Sequence, residues 1–178
     1  MKPKLGTEEA IRRWNRFADS YAGTHSEQGD IHKEVFLNPT LFSLMESVED
    51  KKVLDAGCGE GYLSRLLAKS GAIVDYSKRM IEIAKGRTNN DLNIVYRHGN
   101  CEELSIIKDQ SFDFIVSNMV IQDLANYEKA FQEMYRVLKD GGYFIFSILH
   151  PCFVTPKSGW EKDANGQKLH WVIDQYFF

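Results

Sequence analysis

The run Val53-Leu54-Asp55-Ala56-Gly57-Cys58-Gly59-Glu60-Gly61 constrains this chain most. Val53 and Leu54 suit a strand buried on both faces in a parallel sheet. Gly57, Gly59 and Gly61 let the backbone turn sharply and approach a ligand where a Cβ would collide. Leu63, Leu66 and Leu67 follow at helical spacing, which predicts a strand–turn–helix unit whose first-turn amides face a carboxylate or phosphate. The unit is suited to a nucleotide-like cofactor.

The spacing separates the nucleotide-binding possibilities. A dinucleotide fold uses GxGxxG, whereas this chain has GxGxG, and no GK[ST] follows to make a P-loop. Asp75 lies about 20 residues beyond Asp55, after Ile73-Val74, where a carboxylate at the end of the second strand meets ribose hydroxyls.

Helix-like and strand-like segments alternate along the remaining sequence, which predicts an α/β domain with a parallel sheet. Ile11, Trp14, Phe17, Ala18 and Tyr21 make Thr7 to Tyr21 an amphipathic helix, followed by a looser polar stretch from Ala22 to Asp30. Asn38-Pro39 reads as an N-cap and first helical residue, with Leu41, Leu44, Met45 and Val48 as the buried stripe. Ser77 reads as the cap of a helix carrying Met80, Ile81 and Ala84. Asn93 to Arg97 and Phe112 to Ser117 are strand candidates. A helix from Tyr127 to Leu138 ends at Asp140-Gly141-Gly142, and Tyr143 to Leu149 reads as a strand buried on both faces. Lys157 to Gly166 reads as a hairpin or lid.

These motifs resemble those of the class I S-adenosylmethionine-dependent methyltransferases, particularly the small-molecule type. The resemblance rests on the glycine run, Asp75-Tyr76-Ser77, Gly99-Asn100-Cys101-Glu102, Ser117-Asn118-Met119 and Val137-Leu138-Lys139-Asp140-Gly141-Gly142, in that order. It implies a doubly wound, Rossmann-like sheet of about five strands, mostly parallel, with S-adenosylmethionine at the strands' carboxyl ends. Asp55 and the loop glycines would carry the backbone round the methionyl end. Asp75 would accept from the ribose diol, and Tyr76, Asn100 and Cys101 would flank the adenine. Asn118 would offer its backbone carbonyl to the ammonium, and Tyr21 would close over the sulfonium by cation–π attraction. Many relatives have Asp where this chain has Asn100.

The implied reaction is methyl transfer to a small-molecule acceptor by in-line displacement, in which alignment supplies about 7–11 kcal/mol. The sequence shows no Ser/His/Asp or Cys/His constellation. His150, just past the fifth strand, is the one candidate for orienting or deprotonating an acceptor. A nicotinamide-dependent oxidoreductase and a cofactor-binding module without activity remain alternatives.

The 178 residues, 43% apolar and 26% charged, suit a single domain. The divisions expected within it are a helical cap (1–50), a cofactor-binding core (51–150) and a substrate-side lid (151–178). A net charge of −3 gives no bulk attraction to nucleic acid. Cys58, Cys101 and Cys152 suggest neither a disulfide framework nor a metal site. The absence of a membrane-length apolar run or a secretion signal makes a cytoplasmic location the default expectation. Two departures from the family pattern stand out: about three residues fewer between Gly71 and Asp75, and an end at Phe178 before the family's final antiparallel strands. An apolar fifth strand without that cover is expected to invite self-association through its edge.

Overall fold

The computed structural model describes residues 6–45, 47–68, 71–75, 78–89, 91–150 and 157–173, with only the backbone described for 71–75. It divides into two compact units, Met1–Ser147 and Ile148–Phe178, where the sequence reads as one domain with a lid from residue 151.

The first unit is a parallel sheet in the order β3-β2-β1-β4-β5. Its strands are β1 (Val53–Ala56), β2 (Gly71–Asp75), β3 (Ile94–His98), β4 (Phe112–Asn118) and β5 (Leu138–Ser147). Val53 pairs with Gly71 on one side and Phe114 on the other, so β1 and β4 form the centre. The order reverses direction between them, which opens a crevice at their carboxyl ends. The helices are α1 (Thr7–Gly23), α2 (Asn38–Met45), α3 (Tyr62–Leu67), α4 (Lys78–Arg87) and α5 (Tyr127–Val137).

Alternation along the central strands supplies a core on each face. Leu54, Ala56 and Ile115 pack with Ala130, Met134 and Val137 of α5. Val53, Phe114 and Val116 pack with Leu41 and Met45 of α2 and with Tyr62, Leu63 and Leu67 of α3. This two-sided burial explains why β1 reads as an uninterrupted apolar run ending in Asp55.

Two local expectations change. Asn38 is already helical, at φ −61° and ψ −49°, because a π-helical turn, Lys33–Leu37, leads directly into α2. The wider turn accommodates Pro39, whose ring would crowd the preceding turn of a regular α-helix. Likewise, Gly141-Gly142 does not separate α5 from its strand, since β5 begins at Leu138 and the glycines occupy a bulge. Leu138 pairs with Phe112, and the next paired residues are Tyr143 and Phe114. Gly141 takes φ +76°, and a Cβ on Gly142 would stand 2.8 Å from the Asp113 carbonyl oxygen.

The fifth strand is not buried on both faces. It stands at the edge of the sheet, with Tyr143 63% and Phe146 42% exposed. In the second unit, β6 (Gly159–Lys162) and β7 (Lys168–Val172) form an antiparallel hairpin, turning near Gly166 at φ +82°. Among the described residues no helix is long and apolar enough to cross a membrane.

Candidate functional site

The loop after β1 is the floor of the site, and its glycines are required for different reasons. All three have positive φ, at +86°, +57° and +83° for Gly57, Gly59 and Gly61. A Cβ on Gly57 would stand 2.4 and 2.7 Å from the Val120 methyl carbons. One on Gly61 would meet the Tyr96 hydroxyl at 2.5 Å and Ala84 at 3.0 Å. At Gly59 nothing among the described residues lies within 4 Å, so this position opens a space beside bare backbone. Gly57 and Gly61 are therefore packing glycines, while Gly59 forms a cradle.

Beneath the loop, Asp55 is buried and accepts a 2.7 Å hydrogen bond from Ser64 Oγ. Burial pushes its carboxyl up to about 7, the Ser64 hydrogen bond opposes that rise, and the nearby Glu60 charge adds to it. Its side chain thus joins the strand end to α3 from below. Glu60, also buried, pairs with Arg65 Nη2 at 2.9 Å and Arg87 Nη1 at 3.1 Å. Arg87 Nη2 also donates to the Ala22 carbonyl at 2.9 Å, which links the loop through α4 to the end of α1.

The loop after β4 forms the second wall. Asn118 Nδ2 donates to the Tyr62 hydroxyl at 2.7 Å, and Asn118 Oδ1 accepts from Ser147 Oγ at 2.5 Å. Tyr62 in turn donates to Asn38 Oδ1 at 3.2 Å. Met119 sits at φ +61°, a left-handed conformation unfavourable for a methionine. Its N–H is held by the Ser147 carbonyl oxygen at 3.1 Å and the Ser147 hydroxyl at 3.0 Å.

Helix α1 supplies the third wall. Trp14 and Tyr21 meet edge to face with centroids 5.4 Å apart. Lys33 Nζ, buried behind them, donates to the Tyr21 hydroxyl at 2.8 Å and lies 3.3 Å from Asp30 Oδ2. It also contacts His25 Nε2. Burial lowers the imidazole's affinity for a proton. The neutral ring can accept from Lys33 at Nε2 while Nδ1 donates to the Tyr21 carbonyl at 2.8 Å.

Between these walls lies a cleft of about 600 Å³, measured to open solvent, at the reversal of strand order. Tyr21, Gly57, Gly59 and Asn118 line it, as do Trp14 and Asp123. The structure thus brings together four of the residues singled out in the sequence. Gly61 lies under Tyr96 and outside this lining. Asn100 Oδ1 accepts from the Glu102 N–H at 2.7 Å and so shapes its own turn. Cys101 is 1% exposed and packs in the core beside Leu104, so it underlies the turn rather than lining the cleft. Asp75 closes β2 in register with His98. Tyr76 and Ser77 lie outside the described residues. His150 is in the second unit.

Sequence reasoning missed Lys33, Tyr62 and Glu102. Glu102 is buried and accepts from Thr7 Oγ1 and from the Ala125 and Asn126 N–H groups, each at 3.0 Å. It therefore fastens the start of α1 to the loop after β4. In the sequence it appears only as the end of the Gly99-Asn100-Cys101-Glu102 motif and the first of two adjacent glutamates, with nothing to distinguish it from the exposed Glu103. Among the described residues no group of three or more His, Cys, Asp or Glu side chains is placed to hold a metal ion.

Comparison with known proteins agrees with this architecture. The methyltransferase-domain family matches residues 54–146, more than half of the chain. The chain is 30% identical over 155 residues to the ubiquinone biosynthesis O-methyltransferase of Coxiella burnetii, covering 82% of this chain and 64% of that protein. It is 37% identical over 112 residues to the malonyl-[acyl-carrier protein] O-methyltransferase of Buchnera aphidicola, covering 61% and 44%. The chain thus spans less than two thirds of the length of both relatives. The crystal structure of an S-adenosylmethionine-dependent methyltransferase from Mesorhizobium loti superposes with a TM-score of 0.65 at 28% identity, over 78% of this chain and 64% of that one. A glycine cradle at the centre of a five-stranded parallel sheet, matched by sequence and by fold, makes this chain a member of the class I S-adenosylmethionine-dependent methyltransferase family.

Proposed function

We propose that the chain transfers a methyl group from S-adenosylmethionine to a small-molecule acceptor. The observation that carries this reading is the open cradle at Gly59, placed beside Gly57 and Asn118 in a cleft where the strand order reverses. When bound, the cofactor supplies a methyl group already activated by positively charged sulfur. The backbone of Gly57 and Gly59 suits its amino acid end, with the main chain of Asn118 facing the ammonium. The aromatic face of Tyr21 favours the sulfonium. Asp75, ending the strand next to β1, is assigned to the ribose diol, where each charge-assisted hydrogen bond contributes about 1.5–3 kcal/mol. The turn at Asn100 and Cys101 is assigned to the adenine side. The relatives' own acceptors are chemically diverse, so the acceptor must be sought in this chain's residues.

Calorimetry tests the reading directly. S-adenosylmethionine and its demethylated product are expected to bind, NAD is not, and Asp75→Ala should weaken binding at least about tenfold while the protein stays folded. Binding of NAD without binding of the sulfonium cofactor would overturn the assignment.

A further inference from the structure

A second cleft lies on the outer side of α1 and shares Trp14, Tyr21, Asp123 and Leu124 with the first. Phe17 and Tyr127 belong to the outer cleft alone, and they are 58% and 50% exposed. Four aromatic side chains on one opening, two of them largely wet, favour a flat apolar ligand that removes their surface from water.

The charges around the opening narrow the choice. Asp123 ends a 3₁₀ turn, Ile121–Asp123, that follows β4 and reaches both clefts. Among the described residues, no hydrogen bond or ion pair engages its carboxylate. Arg13, the cation on the same cleft, is bonded to Glu9 at 3.0 Å. The opening thus presents an uncompensated acceptor of protons or hydrogen bonds and disfavours an anionic ligand. Although Asp123 remains exposed by surface area, the protein around it raises its carboxyl above the ordinary range by desolvation, which makes it a better proton acceptor.

We propose that the outer cleft holds the methyl acceptor as an aromatic molecule bearing a hydroxyl group, with Asp123 as the residue that takes the hydroxyl proton. This rests on the methyltransferase reading above. As the acceptor oxygen bonds to the methyl carbon, the carbon–sulfur bond breaks and sulfur keeps its electron pair. The hydroxyl proton passes to the Asp123 carboxylate and then to solvent. Trp14 and Tyr21, common to both clefts, align the acceptor with the cofactor's reactive end.

The test uses the full chain, first saturated with S-adenosylhomocysteine and titrated with catechol, with benzoate as the anionic control. Catechol is expected to bind and benzoate is not. Phe17→Ala combined with Tyr127→Ala should weaken catechol at least about tenfold without changing S-adenosylhomocysteine affinity. Turnover of catechol with S-adenosylmethionine should fall at least about a hundredfold in Asp123→Asn, with loss of the acidic limb of its pH profile. Full turnover or an unchanged pH profile in Asp123→Asn overturns the role of Asp123. Failure of catechol to bind, equal binding of benzoate, or indifference to the aromatic substitutions overturns the acceptor class while leaving the cofactor assignment standing. Failure of S-adenosylhomocysteine itself to bind overturns both.

Discussion

The floor of the cleft and its α1 wall are held by different kinds of contact. On the floor, Gly57 has no room for one more carbon, and Asp55 is sealed beneath with a single hydroxyl partner. Across the opening, α1 carries the exposed Phe17 and is joined to α4 by an ion pair at the surface, Arg79 to Asp19 at 2.6 Å. Close packing has no low-energy alternative arrangement, whereas a solvated ion pair can part and re-form at little cost. The difference separates a floor fixed by close packing from a wall that is anchored at Thr7 and Ala22 and held between them by an exposed ion pair.

The largest effect is expected where the floor has least room. Gly57→Ala adds both a left-handed backbone penalty and a collision with Val120, and should destabilise the protein by about 2–4 kcal/mol in urea denaturation. Val120→Ala in the same chain should restore the part due to the collision. If the double variant recovers nothing, backbone strain dominates and the picture of a tightly packed floor needs revision.

An intermediate effect follows from Asp55. Its ordinary carboxyl value of 3.8 is raised to about 7 in the folded state, so between these pH values the folded chain keeps a proton that the unfolded chain has released. Stability should therefore fall as pH rises from about 4 to 7, by up to about 1.4 kcal/mol per pH unit from this group. Asp55→Asn, which keeps an acceptor for Ser64, should flatten that slope in denaturation curves across the range. An unchanged slope would assign the pH dependence elsewhere.

The smallest effect belongs to the α1 wall. Asp19→Asn should leave the thermal midpoint unresolved from that of the parent, because both partners of the pair are exposed. A clear fall would show that α1 is as firmly held as the floor and would erase the contrast.

The central architecture was legible because each part leaves a local mark. Runs of large apolar residues, Val53-Leu54 and Phe114 to Val116, announce β1 and β4, and glycines spaced for positive φ announce the loop between β1 and α3. The local composition of β5 misled: Tyr143 to Leu149 reads as a strand buried on both faces, and its place at the edge is set by the strand order of the described residues rather than by its own side chains. Gly141-Gly142 misled for a related reason, since a glycine pair marks a helix end and a bulge equally well, and the Asp113 carbonyl that decides between them is distant in sequence. At the site, Gly57 and Gly59 stand out by their spacing, whereas Tyr21 and Asn118 are singled out by the family resemblance; all four line the cleft. Lys33 and Glu102 were not legible, because their partners come from separate elements and a charged residue in sequence normally means a solvated one.

Glu102 also has a kinetic consequence. Its carboxylate alone receives the hydroxyl of Thr7 and two main-chain N–H groups at Ala125 and Asn126, and so joins the α1 and β4-loop sides of the cleft, which Thr7 and Ala125 both line. Separating the two sides there breaks hydrogen bonds to a single ionisable group, so they part together. A change at residue 102 is then expected to loosen the start of α1 and the loop after β4 at the same rate, rather than either alone.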